Sequence, residues 1–137
     1  MLYKSPELTV LNLLWAPRQI TLPHNHRMSA AIGMYAGRED NMFWRRVPNA
    51  RKFQIEAAGG EALGVGDVTI LGRDVVHSVV NPLGKISAAI HVYLGPFLEI
   101  ERSMWNAETL VEEPYDINVV VQGMSLQKSD QRKSATA

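Results

Sequence analysis

The feature that most constrains the fold is a succession of short β-like runs separated by turn residues. The runs are LTVLNLLW (8–15), MSAAIGMY (28–35), NMFWRR (41–46), KFQIEA (52–57), DVTIL (67–71), VVHSVV (75–80) and ISAAIHVYL (86–94). Many short strands at intervals of roughly 8 to 12 residues, without a long helical period, favour an antiparallel sandwich or barrel. The sequence therefore predicts an all-β fold.

One segment outside these runs predicts a helix. In ERSMWNAETLVE (101–112), Asn106 can cap a helical turn, because its side chain can accept a hydrogen bond from a backbone N–H two or three residues on. The last stretch, SLQKSDQRKSATA, is polar and lacks aromatic residues, so it buries too little apolar area to offset its ordering entropy. We expect one domain over residues 1–123, with a short C-terminal helical segment, and a flexible tail over 124–137.

Charge and cysteine content narrow the functional classes. The chain carries 14 Lys and Arg against 14 Asp and Glu, so its formal net charge is zero and gives no attraction to nucleic acid or an anionic membrane. No run reaches the roughly 20 apolar residues of a membrane span, and the N-terminus lacks a signal-peptide core, so we expect a cytoplasmic protein. Cysteine is absent, which leaves His, Asp and Glu as the strong metal ligands.

Two of the four histidines form a pair in TLPHNHRM. His24 and His26 are two residues apart, so both imidazoles project from one face of an extended strand, where a metal ion can bridge them. Pro23 indicates a strand start or a sheet edge. The alternative is that both rings are solvent-exposed or hydrogen-bonded within the protein, and the pair alone does not decide between these interpretations.

A third histidine lies inside an apolar run. His77 is flanked by Val75, Val76, Val79 and Val80, which predict a buried strand. A single histidine in such a strand is more often a core residue, since its neutral ring needs only a hydrogen-bond partner.

The spacing of the histidine pair resembles the first sequence motif of the cupin family, G-x5-H-x-H-x3/4-E-x6-G. His24, His26 and Gly37 match this motif, and Ala30 stands at the glutamate position. The resemblance covers residues 8–96. It implies the cupin double-stranded β-helix, which is a jelly-roll barrel.

The surroundings of the third histidine resemble the second cupin motif, G-x5-P-x-G-x2-H-x3-N. Gly66, His77 and Asn81 match at the right separations, with Gly72 in the proline place and Asp74 in the glycine place. The resemblance therefore implies that this histidine is a metal ligand together with the H-x-H pair.

The missing glutamate determines the coordination that the resemblance implies. With Ala30 and Ala31 at the candidate positions, His24, His26 and His77 would form a site without a carboxylate. Imidazole suits iron, zinc, copper and nickel about equally, so ligand type alone does not name the metal. The set is similar to that of the cupin thiol dioxygenases, which use ferrous iron. We expect one divalent transition metal, Fe(II), with zinc, nickel or copper as alternatives in a purified sample.

The segment AAIHVYLGPF resembles the Ser-x-His-x-Tyr triad of thiol dioxygenases. His91 and Tyr93 match, and Ala89 stands at the serine position. In that family the histidine orients the tyrosine, so the resemblance implies catalytic roles for both residues. The alternative is a core strand whose tyrosine hydroxyl bonds to any convenient partner.

An arginine downstream of this segment is a further point of resemblance, to the bacterial mercaptopropionate-type dioxygenases. In those enzymes an arginine nine residues beyond the tyrosine binds the substrate carboxylate, and Arg102 occupies that position. A guanidinium can hold a carboxylate through two parallel hydrogen bonds. Arg45 and Arg46 are competing candidates, and the alternative is that Arg102 is a surface residue.

Taken over the chain, the resemblance is to uncharacterised bacterial relatives of cysteine dioxygenase, where PH-x-H-RM and REDN-x-FWRR segments also occur. It implies a mononuclear non-haem iron dioxygenase that oxidises a small thiol carboxylic acid to a sulfinate with O2. The alternatives are a metal-binding cupin that binds a small ligand without oxygenase activity, which Ala89 favours, and a metal-free sugar-type cupin. We expect no nucleic acid or membrane partner, and a homodimer through exposed sheet edges.

Overall fold

The computed structural model describes residues 1–49, 54–117 and 119, which form two β-sheets. The strands are β1 (Tyr3–Lys4), β2 (Thr9–Trp15), β3 (His24–Asn25), β4 (Ala30–Ala36), β5 (Arg38–Arg46), β6 (Ile55–Gly64), β7 (Val68–Leu71), β8 (Val76–Val80), β9 (Ser87–Tyr93), β10 (Ser103–Trp105) and β11 (Glu112–Pro114). The five-stranded sheet has the order β1-β2-β9-β4-β7, and the six-stranded sheet has the order β11-β10-β3-β8-β5-β6. The strand pairings are antiparallel, so the predicted all-β fold is confirmed.

Alternating burial along the central strands shows where the core lies. In β4, Ala30, Ile32 and Met34 are buried, while the residues between them are partly exposed, as expected for a strand with one face against the core. Side chains from both sheets join them. The resulting cluster contains Met28, Ala30, Ile32, Met34, Leu63, Leu71, Ala89 and Tyr93.

Two of the glycines at motif positions are required by the backbone. Gly37, between β4 and β5, has a φ of +72°, and a β-carbon there would collide with Ser87. Gly66, before β7, has a φ of +89°, and its N–H donates to the carbonyl of Met34 at 3.0 Å. Both positions lie in the left-handed region that favours glycine, so these two glycines fix turns of the barrel.

The helix predicted over 101–112 is wrong, because β10 and β11 form a hairpin there. The residues of β10 are buried consecutively, which suits a strand covered on both faces and not an amphipathic helix. The predicted cap is confirmed: Asn106 Oδ1 accepts hydrogen bonds from the backbone N–H groups of Glu108 at 2.9 Å and Thr109 at 3.0 Å. The asparagine caps the hairpin turn, a role for which its side-chain oxygen serves equally well.

The C-terminal tail predicted over 124–137 lies outside the described residues. In the part of the chain that the structure describes, no helix has the length and apolar character needed to cross a membrane.

Candidate metal centre

Three histidines meet in the interior of the protein. His24 and His77 face each other directly in the pairing of β3 with β8, and His26 is the residue immediately after β3. The ring centroid of His77 lies 4.8 Å from that of His24 and 4.8 Å from that of His26. One ligand atom from each ring lies within 4.8 Å of the other two. The structure thus brings the three predicted ligands together, in a group that could hold a metal ion.

Hydrogen bonds orient two of these rings. Nδ1 of His24 donates to the carbonyl of Leu22 at 2.8 Å, and Nδ1 of His77 donates to Oδ1 of Asn41 at 2.7 Å. Because both partners are oxygen acceptors, the proton lies on Nδ1 and the lone pair of Nε2 stays available. The Nε2 atoms of His26 and His77 are 3.1 Å apart, close to the ~3.3 Å edge of a tetrahedral site with metal–nitrogen bonds of ~2.0 Å.

Burial keeps this cluster uncharged. Loss of solvent lowers the pKa of His24 to about 4 and the pKa of His26 to about 2. It also lowers the pKa of His77 well below the ordinary value of 6.5, and the positive charge of Arg102 acts in the same direction on all three rings. The rings are therefore neutral at pH 7, which is the form in which imidazole binds metals.

The ligand group formed by the described residues contains imidazoles and no carboxylate. Ala30, at the motif's glutamate position, is only 3% exposed and pairs with Leu71 of β7 and Tyr93 of β9. A methyl group at this place offers no donor atom. A metal ion held here by three neutral rings would therefore keep its full charge and its remaining coordination positions.

A second polar group lies on β9. The hydroxyl of Tyr93 and Nδ1 of His91 are 3.0 Å apart, so the predicted pair is in contact. The tyrosine ring stacks on Phe97 with centroids 3.7 Å apart and meets the ring of His26 edge-on at 5.0 Å. The pair therefore lies directly against the three-histidine cluster. Burial lowers the pKa of His91 to about 3 and raises the pKa of Tyr93 above its ordinary value of 10.

Sequence reasoning missed Glu39, which lies beside His91. This glutamate is 0% exposed, and its Oε1 is 3.7 Å from His91 Nε2. Within the described residues, neither carboxyl oxygen nor His91 Nε2 has a hydrogen-bond partner. Burial raises the pKa of Glu39 to about 7. A buried acid without hydrogen bonds is rare and expensive in folding free energy, and such groups concentrate at functional sites.

The sequence does contain a signal for the two missed residues, Glu39 and Asn41. In β5, Arg38 is exposed, Glu39 is buried, Asp40 is half-buried and Asn41 is buried. The inward positions of this strand therefore carry polar side chains. In a strand with alternating faces, an acid and an amide on the face that should be apolar indicate a functional role.

Arg102 is a buried cation beside the cluster. It is 8% exposed, and its guanidinium carbon lies 4.0 Å from the ring centroid of Phe97 and 3.9 Å from that of Tyr115. The ring of Phe97 is 5.6 Å from that of His26, and the ring of Tyr115 is 6.3 Å from that of His24. The same two rings that enclose the guanidinium therefore flank the histidines.

The charge of Arg102 is not matched by a carboxylate in the ion pairs of the described residues, and its Nη1 has no hydrogen-bond partner there. Burial lowers its pKa below 12.5, yet a guanidinium remains protonated at neutral pH. A groove of about 1280 Å³ opens beside it, with Arg27, Phe97 and Tyr115 among the lining residues. Five acidic residues also line this groove: Glu99, Glu101, Glu112, Glu113 and Asp116.

Arg45 and Arg46, the competing candidates, form ion pairs at the surface. Arg45 pairs with Glu56 at 2.8 Å and Arg46 pairs with Glu112 at 3.3 Å, and both arginine side chains are more than half exposed. Surface ion pairs of this kind hold their arginines away from the interior. Arg45 and Arg46 thus have carboxylate partners, whereas Arg102 has none in the ion pairs of the described residues.

Comparison with solved structures identifies the fold. The chain superimposes on an uncharacterised conserved protein with a double-stranded β-helix domain from Klebsiella pneumoniae with a TM-score of 0.54 and 14% sequence identity, over 75% of this chain and 74% of that one. The chain has a double-stranded β-helix fold. This confirms the jelly-roll barrel that the cupin motifs predict.

Two enzymes share this fold with the chain. DMSP lyase from Ruegeria pomeroyi matches 73% of it with a TM-score of 0.55 and 16% identity, and a mutant of oxalate decarboxylase from Bacillus subtilis matches 67% of it with a TM-score of 0.53 and 18% identity. The chain spans only 44% of the lyase and 22% of the decarboxylase. No protein-family sequence model matches the chain. At these identities the likeness shows the fold alone, and the resemblance to cysteine dioxygenase stays a prediction.

Proposed function

We propose that this protein is a mononuclear metal enzyme that oxidises a small thiol carboxylic acid to a sulfinate with O2. In this proposal His24, His26 and His77 hold one divalent transition metal, which we take to be ferrous iron. The observation that carries the proposal is Arg102, a buried guanidinium without a carboxylate partner among the described residues. It lies between two aromatic rings that also flank the cluster of neutral imidazoles.

The donor set fits such an ion. Two rings are held with their protons on Nδ1, by Leu22 and Asn41, so that Nε2 is presented as the ligand. Imidazole donors suit iron, zinc, copper and nickel. Bound ferrous iron would supply open coordination positions at which a thiolate and O2 react. The overall change adds both oxygen atoms of O2 to sulfur, R–S⁻ + O2 → R–SO2⁻, and needs no further reductant.

Arg102 binds the substrate carboxylate in this proposal. Stacking between Phe97 and Tyr115 fixes the plane of the guanidinium, so its two parallel N–H donors have a defined direction before the substrate arrives. Nη1 is buried without a partner in the described part of the chain, and a carboxylate would satisfy it. The clamp thereby places the thiol end of a short acid at the histidine cluster.

Tyr93 provides a hydroxyl at the same place. Its ring packs between His26 and Phe97, and its oxygen is held by His91 at 3.0 Å. Burial raises the pKa of Tyr93, so the phenol stays protonated at neutral pH. Its ring and the apolar rings around it exclude water from the bound substrate.

Anaerobic reconstitution with ferrous iron, followed by oxygen-electrode measurements, tests this proposal. The assay compares 3-mercaptopropionate and cysteine with cysteamine, a thiol amine that lacks the carboxylate. We expect O2 uptake with an acid, in a one-to-one ratio to sulfinate determined by mass spectrometry, and much less uptake with the amine. The matched control is His77→Ala, which should show neither stoichiometric iron nor O2 uptake.

A metal-binding protein without oxygenase activity is the second candidate, and Ala89 at the triad's serine position favours it. It predicts a full equivalent of bound iron with no sulfinate from any thiol in the panel. That outcome would overturn the dioxygenase proposal and leave the three-histidine site intact. Absence of stoichiometric iron from the wild-type protein would overturn both.

A further inference from the structure

Glu39 lies beside the pair of His91 and Tyr93, and the proposed function gives this acid no role. The hydrogen-bonded pair of His91 and Tyr93 stands on β9, whereas Glu39 comes from β5 in the other sheet. The serine that would complete a Ser-x-His-x-Tyr triad is replaced by Ala89, which is 0% exposed and packed in the core. The free end of the imidazole therefore faces a carboxyl group and not a hydroxyl.

We infer that Glu39 is a positioning residue that completes a three-membered relay with His91 and Tyr93. Its carboxylate accepts the Nε2–H of His91, which leaves Nδ1 as the acceptor of the Tyr93 hydroxyl. The tyrosine oxygen is then an acceptor toward the site and has no proton to give to a thiolate or to O2. This inference deepens the proposed function and rests on it for the catalytic consequence, but the hydrogen-bond arrangement itself is independent of any reaction.

Three unpaired atoms support the arrangement. Both oxygens of Glu39 and Nε2 of His91 are buried without hydrogen-bond partners from the described residues. Glu39 Oε1 and His91 Nε2 are 3.7 Å apart, and a shift of about 0.9 Å would bring them to the ~2.8 Å of a charge-assisted hydrogen bond. Such a shift satisfies both ends at once. Hydrogen bonds of this type are often long before ligands bind and shorten in the working complex.

The groups around Glu39 and His91 bear on which hydrogen-bond partner the acid takes. Glu39 pairs with Leu63 across β5 and β6, so its strand neighbour is apolar. The other side of the imidazole is covered by the indole of Trp15, edge-on with centroids 6.1 Å apart. On the far side, the Tyr93 hydroxyl already occupies Nδ1. Trp15 Nε1 and Asn41 Nδ2 are also buried donors without partners in the described residues, but the approach to the carboxyl group that the structure records is that of His91 Nε2 at 3.7 Å.

The consequence is a fixed tautomer. A neutral imidazole carries one proton, so the acceptor at one nitrogen decides the role of the other. With the proton on Nε2 toward Glu39, Nδ1 of His91 must accept and the Tyr93 hydroxyl must donate to it. Serine, with a hydroxyl that can donate or accept, would leave the tautomer open. Glu39 therefore fixes one tautomer of His91, whereas a serine would allow either tautomer.

Nitrogen-15 NMR of zinc-loaded protein tests the arrangement, because zinc is diamagnetic. At about pH 8.5, above the raised pKa of the acid, we expect His91 to show a protonated Nε2 and an unprotonated Nδ1. The Nε2 proton should be shifted strongly downfield by the carboxylate. In Glu39→Gln that downfield shift should be lost, since a neutral amide oxygen is a weaker acceptor. The control Asp40→Asn changes an acid of the same strand that faces the other way and should leave the resonance unchanged.

A His91 with its proton on Nδ1 in the wild-type protein would overturn the inference, as would an Nε2 proton indifferent to Glu39→Gln. The wild-type spectrum is decisive even if the variant fails to fold. If zinc does not bind, the same spectrum of the metal-free protein gives the answer, so failure of the metal site and failure of the relay are distinguishable.

Kinetics then connect the relay to turnover. In Glu39→Gln we expect kcat for the thiol acid to fall roughly tenfold, as for other residues that orient a functional imidazole, with KM changed less than about twofold because Arg102 is untouched. Iron content should stay at one equivalent. A parallel loss of iron and of kcat would instead indicate a purely structural residue and would overturn the positioning role.

Discussion

The two polar groups of the interior differ in which partner each nitrogen of the imidazole ring meets. In the cluster of His24, His26 and His77, Nδ1 of two rings donates to an uncharged oxygen, and the Nε2 atoms of His26 and His77 are 3.1 Å apart. In the relay, Nδ1 of His91 meets a hydroxyl and Nε2 faces the carboxyl group of Glu39. In each group an oxygen acceptor holds the proton on one ring nitrogen and leaves the lone pair on the other. In the first group the free nitrogens lie close together, and in the second the free nitrogen meets the Tyr93 hydroxyl. This difference supports the proposal that the first group binds a metal and that the second controls a hydrogen bond.

The prediction with the largest expected effect tests whether metal binding depends on the three-histidine cluster and not on His91. His77→Ala should abolish stoichiometric metal binding while the barrel stays folded, because the core of both sheets remains. His91→Ala, which removes an equally buried imidazole, should retain a full equivalent of metal. Elemental analysis of the two purified variants makes the comparison, with circular dichroism as the check on folding. Full metal retention by His77→Ala would contradict the assignment.

The next prediction concerns the substrate carboxylate, which Arg102 would bind beside the histidine cluster. Arg102→Ala should weaken binding of a thiol acid by roughly 2–5 kcal/mol, the range for truncating one member of a buried charge pair, with metal content unchanged. Arg102→Lys should restore only part of the loss, since an ammonium lacks the guanidinium fork. The measurement is the ratio of turnover on the acid to turnover on cysteamine. A constant ratio across wild type and variants would show that another group binds the substrate.

A third prediction concerns the protonation of Glu39 and its effect on the free energy of unfolding. Because burial raises the pKa of Glu39 from 4.5 to about 7, the folded state binds this proton more tightly than the unfolded state does. The resulting stabilisation is complete below pH 4.5 and is lost as the pH rises through 7. Relative to the wild type, Glu39→Gln should therefore become more stable between pH 4.5 and pH 8, by up to about 3 kcal/mol.

Urea unfolding of the metal-free proteins at both pH values measures this difference. Subtracting the wild-type result from the Glu39→Gln result cancels the contribution of His24, His26 and His77, which is common to both proteins. Asp40→Asn, whose acid is half-buried on the opposite face, is the matched control. An equal pH dependence in wild type and Glu39→Gln would mean that the acid is ionised without cost in the folded protein.

The smallest expected effect concerns the second partner in the cluster. Asn41→Ala removes the acceptor that holds His77 Nδ1 at 2.7 Å. Metal affinity should fall by about 10- to 100-fold, the usual consequence of losing such a partner. Asn12→Ala, at an exposed asparagine that bonds to Tyr35, should change nothing. Competition against a chelator of known affinity measures both variants, and equal affinities would show that Asn41 does not orient the ligand.

The fold could be predicted because strand spacing and motif glycines are local properties of the sequence. Gly37 and Gly66 occupy left-handed positions that almost any other residue would strain. The segment around Asn106 was interpreted wrongly as a helix because a side chain that caps a helix also caps a hairpin turn. Only pairing with β3, which is a tertiary contact, decides between the two.

The candidate site was predictable in part for the same reason. His24, His26 and His77 follow motif spacings, and the structure brings them together. Glu39 and Asn41 were missed because their roles depend on contacts across strands that are distant in sequence. Asn41 reaches His77 from the neighbouring strand β5, and Glu39 reaches His91 from the opposite sheet.

Anomalous diffraction from crystals of the metal-loaded protein tests the central claim most directly. At the absorption edge of zinc or iron, we predict one strong peak between His24, His26 and His77, about 2.0–2.1 Å from three imidazole nitrogens. The Nε2 atoms of His24 and His77 should be the ligands, with both Nδ1 hydrogen bonds retained. A peak at His91, or no ordered peak at the cluster in crystals that contain a full equivalent of metal, would contradict the account.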